Sequence, residues 1–140
     1  MTSPRRLVLL ASVALPVAVL AAPQSRSTSI GVYTALQADR GHAAYERVCA
    51  GCHGGDLRGD EPMEVPPLTG EAFDTRWRGE PLAALYDKAM KTMPADRPGS
   101  LSPREYADIV AYLLQTSGVK SGMTELPADA GALREISFDR

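Results

Sequence analysis

Cys49-Ala50-Gly51-Cys52-His53 is the stretch on which the reading of this chain turns. Two thiols three positions apart, followed at once by an imidazole, form the pattern for covalent attachment of a c-type haem. Each thiol adds to one vinyl group of the porphyrin, and the short arc between them spans the two vinyl carbons. The next residue then sets its ring under the same macrocycle, where Nε2 can bind the iron. No other cysteine occurs in the 140 residues, so none is left for a separate disulfide. Two other chemistries use the same residue types. A thioredoxin-like dithiol needs a βαβ context, whereas the flanks here read as helix and loop. A structural zinc site wants four ligands, and the chain offers Cys49, Cys52, His53 and one distant His42.

Toward the amino end, Arg5 and Arg6 precede an apolar run from Leu7 to Leu20, and the small residues Ala21 and Ala22 follow. This is the layout of a secretory signal peptide, residues 1–21, with cleavage after Ala21. The run is shorter than the ~20 residues a spanning helix wants, so a membrane association is expected only if the segment stays uncleaved. Export fits the motif, because thioether formation outside the cytoplasm needs reduced thiols on an unfolded chain. A periplasmic location follows. The paired arginines read as ordinary leader charge rather than a twin-arginine signal.

The exported part, about 119 residues, suits one domain. Aromatic residues make up 6% of the chain, which predicts a thin core that a buried porphyrin would complete. Without Arg5 and Arg6 the chain keeps 13 basic and 17 acidic residues, a net charge of −4. That excludes a generic nucleic-acid binder and allows docking to a basic partner surface.

Residues 22–34 are polar and aperiodic and read as a flexible leader. Helix is predicted from near Tyr33–Gln37 to about Cys49. Asp60 to Pro67 is an extended acidic, proline-containing loop, and Glu71 to Phe73 a short helical turn. The next helix is predicted to begin near Glu80-Pro81 and to stop before Met93-Pro94, since the residue before proline is pushed out of the α region. Ser102-Pro103-Arg104-Glu105 is a capping box opening the last helix, with Tyr106, Ile109, Val110, Leu113 and Leu114 as its buried face and Gly118 as its stop. Residues 119–140 read as a polar tail lying against the surface of the 35–118 domain. No nucleophile–base arrangement stands out.

The order of these elements, helix, Cys-x-x-Cys-His, a Pro66-to-Gly70 segment, helix, Met-Pro and capped helix, resembles class I c-type cytochromes over about residues 35–118. Trp77-Arg78-Gly79 and Glu125-Leu-Pro-Ala-Asp129 are similar to segments of cytochromes associated with quinoprotein dehydrogenases. The resemblance implies an all-α fold, three to four helices wrapped around one covalent haem c. It implies thioether bonds at Cys49 and Cys52, His53 as proximal ligand, and a Pro66 carbonyl accepting from His53 Nδ1–H. Leu68 would pack on the porphyrin. Gly41 and Tyr45 would meet the last helix near Ile109 and Tyr112. Trp77 would lie near the haem edge, donating to a propionate or simply filling the core.

Met63, Met90, Met93 and Met123 are the candidates for the distal ligand. Met93 leaves a helix forty residues past His53, at the family's ligand position, and Met90 is its rival. His/Met ligation closes the iron to substrate. It implies an electron-transfer protein rather than an enzyme, working alone or as the cytochrome subunit of a dehydrogenase complex. Its redox partners would be a dehydrogenase donor and a cytochrome or oxidase acceptor. The alternative is a haem enzyme or gas-binding protein with an open distal site.

Overall fold

The computed structural model describes residues 26–140. The expected signal segment and the first residues of the expected leader lie outside the described residues. In chain order come β1 (Arg26–Ser27), a 3₁₀ turn (Thr28–Ile30), α1 (Ala35–Val48), α2 (Ala50–His53), α3 (Gly70–Trp77), α4 (Leu82–Thr92), α5 (Pro103–Thr116), α6 (Ala130–Arg134) and β2 (Ile136–Ser137). The fold is all-α. The four longer helices are those the expected architecture counts, and two short ones, α2 and α6, add to them. Among the described residues no helix is long and apolar enough to cross a membrane.

Local chemistry sets the helix ends. Thr34 Oγ1 accepts from the Gln37 amide at 3.1 Å and starts α1. The capping box on α5 is complete: Ser102 Oγ accepts from Glu105 N at 3.2 Å, and the Glu105 carboxylate accepts from Ser102 N at 3.0 Å. Pro81 sits at the N-cap of α4, one place outside the helix, and Met93 is its C-cap. Gly118 follows α5 with φ +79°.

α1 and α5 cross where Gly41 meets the Asp108 backbone. A Cβ at Gly41 would collide with the Asp108 carbonyl oxygen and touch Tyr112 Cβ at 3.0 Å. The contact on α5 is thus with Asp108 and Tyr112, with Ile109 between them. Arg40, one residue earlier, lays its guanidinium on the Asp108 carboxylate with two bonds of 2.9 and 3.0 Å, and reaches Glu125 at 2.8 Å. Both carboxylates raise the Arg40 pKa further.

The tail departs from its expected place on the surface. Leu126, Leu133, Ile136 and Phe138 are all at most 3% exposed and belong to the core. Each such burial contributes about 1.5–3 kcal/mol. The Gln37 side chain exchanges two hydrogen bonds with the Leu126 backbone, 2.9 and 2.6 Å, which seats this segment on α1. The described part of the expected leader is also packed. Val32 and Tyr33 are buried, and β1 pairs in parallel with β2, Arg26 opposite Ile136. A few apolar side chains in each polar stretch suffice, because the two stretches cover one another.

The few aromatic residues are concentrated inside. All five tyrosines and both phenylalanines are buried. Four tyrosine hydroxyls donate to backbone carbonyls in other segments: Tyr33 to Val119 (2.6 Å), Tyr45 to Gly54 (2.6 Å), Tyr86 to Pro103 (3.2 Å) and Tyr106 to Met93 (2.7 Å). Each removes the cost of a buried unpaired hydroxyl and fixes a loop.

Candidate haem site

The Cys49–His53 stretch is one helical turn that continues α1. The amides of Cys52 and His53 donate to the Cys49 carbonyl at 3.1 and 3.0 Å, and Gly54 N donates to Ala50 O at 2.9 Å. Helical spacing puts the two thiols on the same side of the turn. Cys49 is half-buried, Cys52 exposed, and the two are not bonded to each other. Burial, with the neighbouring Cys52 adding to it, pushes the Cys49 thiol up to about 11. Reactive dithiols have the opposite property, a depressed thiol pKa. Among the described residues the turn is flanked by helix and loop, with none of the βαβ context a thioredoxin-like pair requires. Among the described residues no group of three His, Cys, Asp or Glu side chains is placed to hold a metal ion, so the zinc alternative has no four-ligand set here.

His53 is 7% exposed. Its Nδ1 lies 3.1 Å from the Pro66 carbonyl oxygen. The carbonyl can only accept, so Nδ1 carries the proton and Nε2 keeps its lone pair for a metal. The loop is held from both sides. Gly59 N donates to His53 O at 2.9 Å, and Leu68 N to Leu57 O at 2.8 Å. Tyr45, buried in α1, holds the Gly54 carbonyl just past His53.

At the margin of the core Cys49, Ala50, Leu68, Trp77, Ala89, Met90, Leu101 and Ala130 are apolar side chains left only partly buried. An imidazole with its metal-binding nitrogen uncommitted, two unpaired thiols and this incompletely covered apolar margin fit a thioether-linked porphyrin. Trp77 closes α3, half-buried, with the Arg76 guanidinium 4.5 Å from its ring centroid and Phe73 6.3 Å away. Its indole N–H has no partner among the described residues.

Of the four candidate methionines, Met63 and Met123 are 61% and 96% exposed and point away from the core. Met90 and Met93 are both half-buried, Met90 inside α4 and Met93 extended at its C-cap (φ −126°, ψ 150°). Sequence reasoning missed the part Tyr45 and Tyr106 play in holding the two loops. A buried tyrosine at helical spacing reads as core, and its hydroxyl partner lies in another segment.

Among curated proteins none matches the chain by sequence. Among solved structures, sulfane dehydrogenase SoxCD from Paracoccus pantotrophus is similar, at 23% identity and a TM-score of 0.49, over 80% of this chain. This chain spans 60% of the length of that one. The family described as cytochrome c oxidase, cbb3-type, subunit III matches residues 36–113, from the second residue of α1 to the buried end of α5 and across the whole attachment turn. The chain therefore belongs to that family, and its domain is a class I c-type cytochrome.

Proposed function

We propose that this protein is a periplasmic mono-haem cytochrome that carries single electrons from a dehydrogenase of the quinoprotein kind to a downstream cytochrome or oxidase. The observation that carries this reading is the His53–Pro66 contact. It sets the imidazole tautomer and leaves Nε2 for iron, one residue from the second of two unpaired thiols. When bound, haem c supplies a one-electron Fe(III)/Fe(II) couple. Cys49 and Cys52 would hold it covalently, and His53 would ligate its iron. Leu68 would pack against it, and Trp77, whose indole N–H has no partner among the described residues, would be available to a propionate.

Met93 is the distal ligand in this reading, because it is the half-buried methionine on a segment leaving a helix. Met93 would supply a thioether and His53 an imidazole to the iron, a ligand pair suited to one-electron exchange without a substrate site. Weak, brief docking suits such a carrier. The reading places the mature protein in the periplasm, its leader removed after Ala21.

The test combines mass spectrometry of the exported protein with the ferric spectrum of Met93→Ala. A mass one haem above the polypeptide, beginning at Ala22, and loss of the far-red thioether–iron band in the variant are expected. A polypeptide of bare mass would overturn the cytochrome reading. An intact band would move the ligand to Met90. Rapid carbon monoxide binding by the unmutated protein would favour the open-site alternative.

A further inference from the structure

Two buried tyrosines close the base of the segment between α4 and α5 in a crossed manner. Tyr86 stands on α4, which leads into the segment, and donates to the carbonyl of Pro103, the first residue of α5, at 3.2 Å. Tyr106 stands on α5, which leaves the segment, and donates to the carbonyl of Met93, the C-cap of α4, at 2.7 Å. Each ring is 1% exposed, and they meet edge-on with centroids 6.5 Å apart and planes at 82°. Each helix thus holds the near end of the other.

The segment between them has little structure of its own. Residues 95–100 are exposed, and two backbone bonds, Arg97 N to Pro94 O (2.9 Å) and Ser100 N to Arg97 O (3.2 Å), lie within it. Its position is set at its base, where Met93 sits. The Met93 N–H donates to Ala89 O at 2.9 Å, and its carbonyl accepts from Tyr106. Both backbone polar groups of this one residue are therefore fixed. A phenylalanine would fill the core equally well. A buried hydroxyl costs stability unless it is partnered, and the partner here is the candidate ligand's own carbonyl.

We infer that Tyr106, assisted by Tyr86, is a positioning residue for the distal ligand: its hydroxyl holds the backbone from which the Met93 thioether is presented. This rests on the reading of Met93 as that ligand. Loss of the hydroxyl leaves the thioether in place but easier to displace.

The experiment is an imidazole titration of the ferric holoprotein, with circular dichroism as the check on folding. Tyr106→Phe should keep the fold and the thioether–iron band but bind imidazole about 5–10-fold more tightly, the ratio one lost hydrogen bond allows. Tyr86→Phe, at the other end of the clasp, should move in the same direction. Tyr33→Phe is the control, since its 2.6 Å bond to the Val119 carbonyl is equally buried and lies elsewhere. It should leave imidazole affinity unchanged. Wild-type affinity in Tyr106→Phe, beside free binding by Met93→Ala, would overturn the inference and leave the ligand reading standing. An equal gain in Tyr33→Phe would also overturn it, by showing general loosening. A Met93→Ala protein that binds imidazole no better than wild type overturns both. Should Tyr106→Phe fail to mature, Tyr86→Phe decides on the same criterion.

Discussion

Gly59 carries the backbone past Pro66 so closely that a Cβ there would lie 2.7 Å from the Pro66 carbonyl carbon and 2.8 Å from its oxygen, besides colliding with the Val65 carbonyl. Gly59 also has φ +69°, a conformation that side chains disfavour. The carbonyl that accepts from His53 is therefore held in place by the absence of a side chain. Gly59→Ala should cost about 1–3 kcal/mol of stability and shift that carbonyl. A weaker acceptor makes the imidazole a poorer donor to iron, so the reduction potential should rise. Redox titration of the variant checks this, and an unchanged potential would show that the carbonyl has not moved.

The α1–α5 crossing makes a second prediction. Gly41→Ala gains helix propensity, up to ~1 kcal/mol, yet its methyl must displace the Asp108 backbone. A backbone cannot rotate away as a side chain does. A net loss of about 2–3 kcal/mol is expected, measurable by denaturant unfolding. The neighbouring Arg40–Asp108 bonds should be disturbed at the same time.

The tail should behave as core. Leu133→Ala and Ile136→Ala, both at fully buried positions, are each expected to cost about 2–5 kcal/mol. Removal of residues 130–140 should prevent a cooperative unfolding transition altogether. Thermal denaturation followed by circular dichroism distinguishes this from a tail that merely lies on the surface, for which truncation would change little.

The α5 cap predicts a pH dependence. The Ser102 backbone N–H and then its hydroxyl, with a smaller contribution from Arg47, hold the Glu105 carboxyl below its usual pKa. A depressed carboxylate contributes stability above the unfolded value, about 4.3, and that contribution disappears as pH falls through the folded one. Glu105→Gln should therefore be less stable than wild type at neutral pH, by under about 1 kcal/mol. The two unfolding curves should converge in acid. A gap that persists at low pH would point to packing rather than charge.

How much of this was legible in the sequence differs from element to element. The family was, because its Cys-x-x-Cys-His pattern fixes residue types and spacing within five positions. So was the start of α5, where Ser102, Pro103 and Glu105 state the cap locally. The turn expected at Glu71–Phe73 is the longer α3, Gly70–Trp77, whose N-cap Thr69 makes no side-chain capping bond. The packing of residues 26–34 and 119–140 was not legible. Val32, Tyr33, Leu133, Ile136 and Phe138 are too sparse for a periodic pattern, and each is buried by partners far along the chain. At the haem site the candidate ligands could be named, but the hydroxyls that hold their loops could not. Which carbonyl a tyrosine reaches is decided by how helices cross.

The pairing of Arg26–Ser27 with Ile136–Ser137 has a consequence for how the molecule is made. The opening strand has nothing to bind until nearly the whole polypeptide has been delivered, and the Thr28 hydroxyl likewise waits for the backbone of Asp139. For a chain emerging amino end first, these closing contacts are the last that can form. The two thiols emerge long before that latch can shut, an interval set by the time needed to deliver the remainder of the chain.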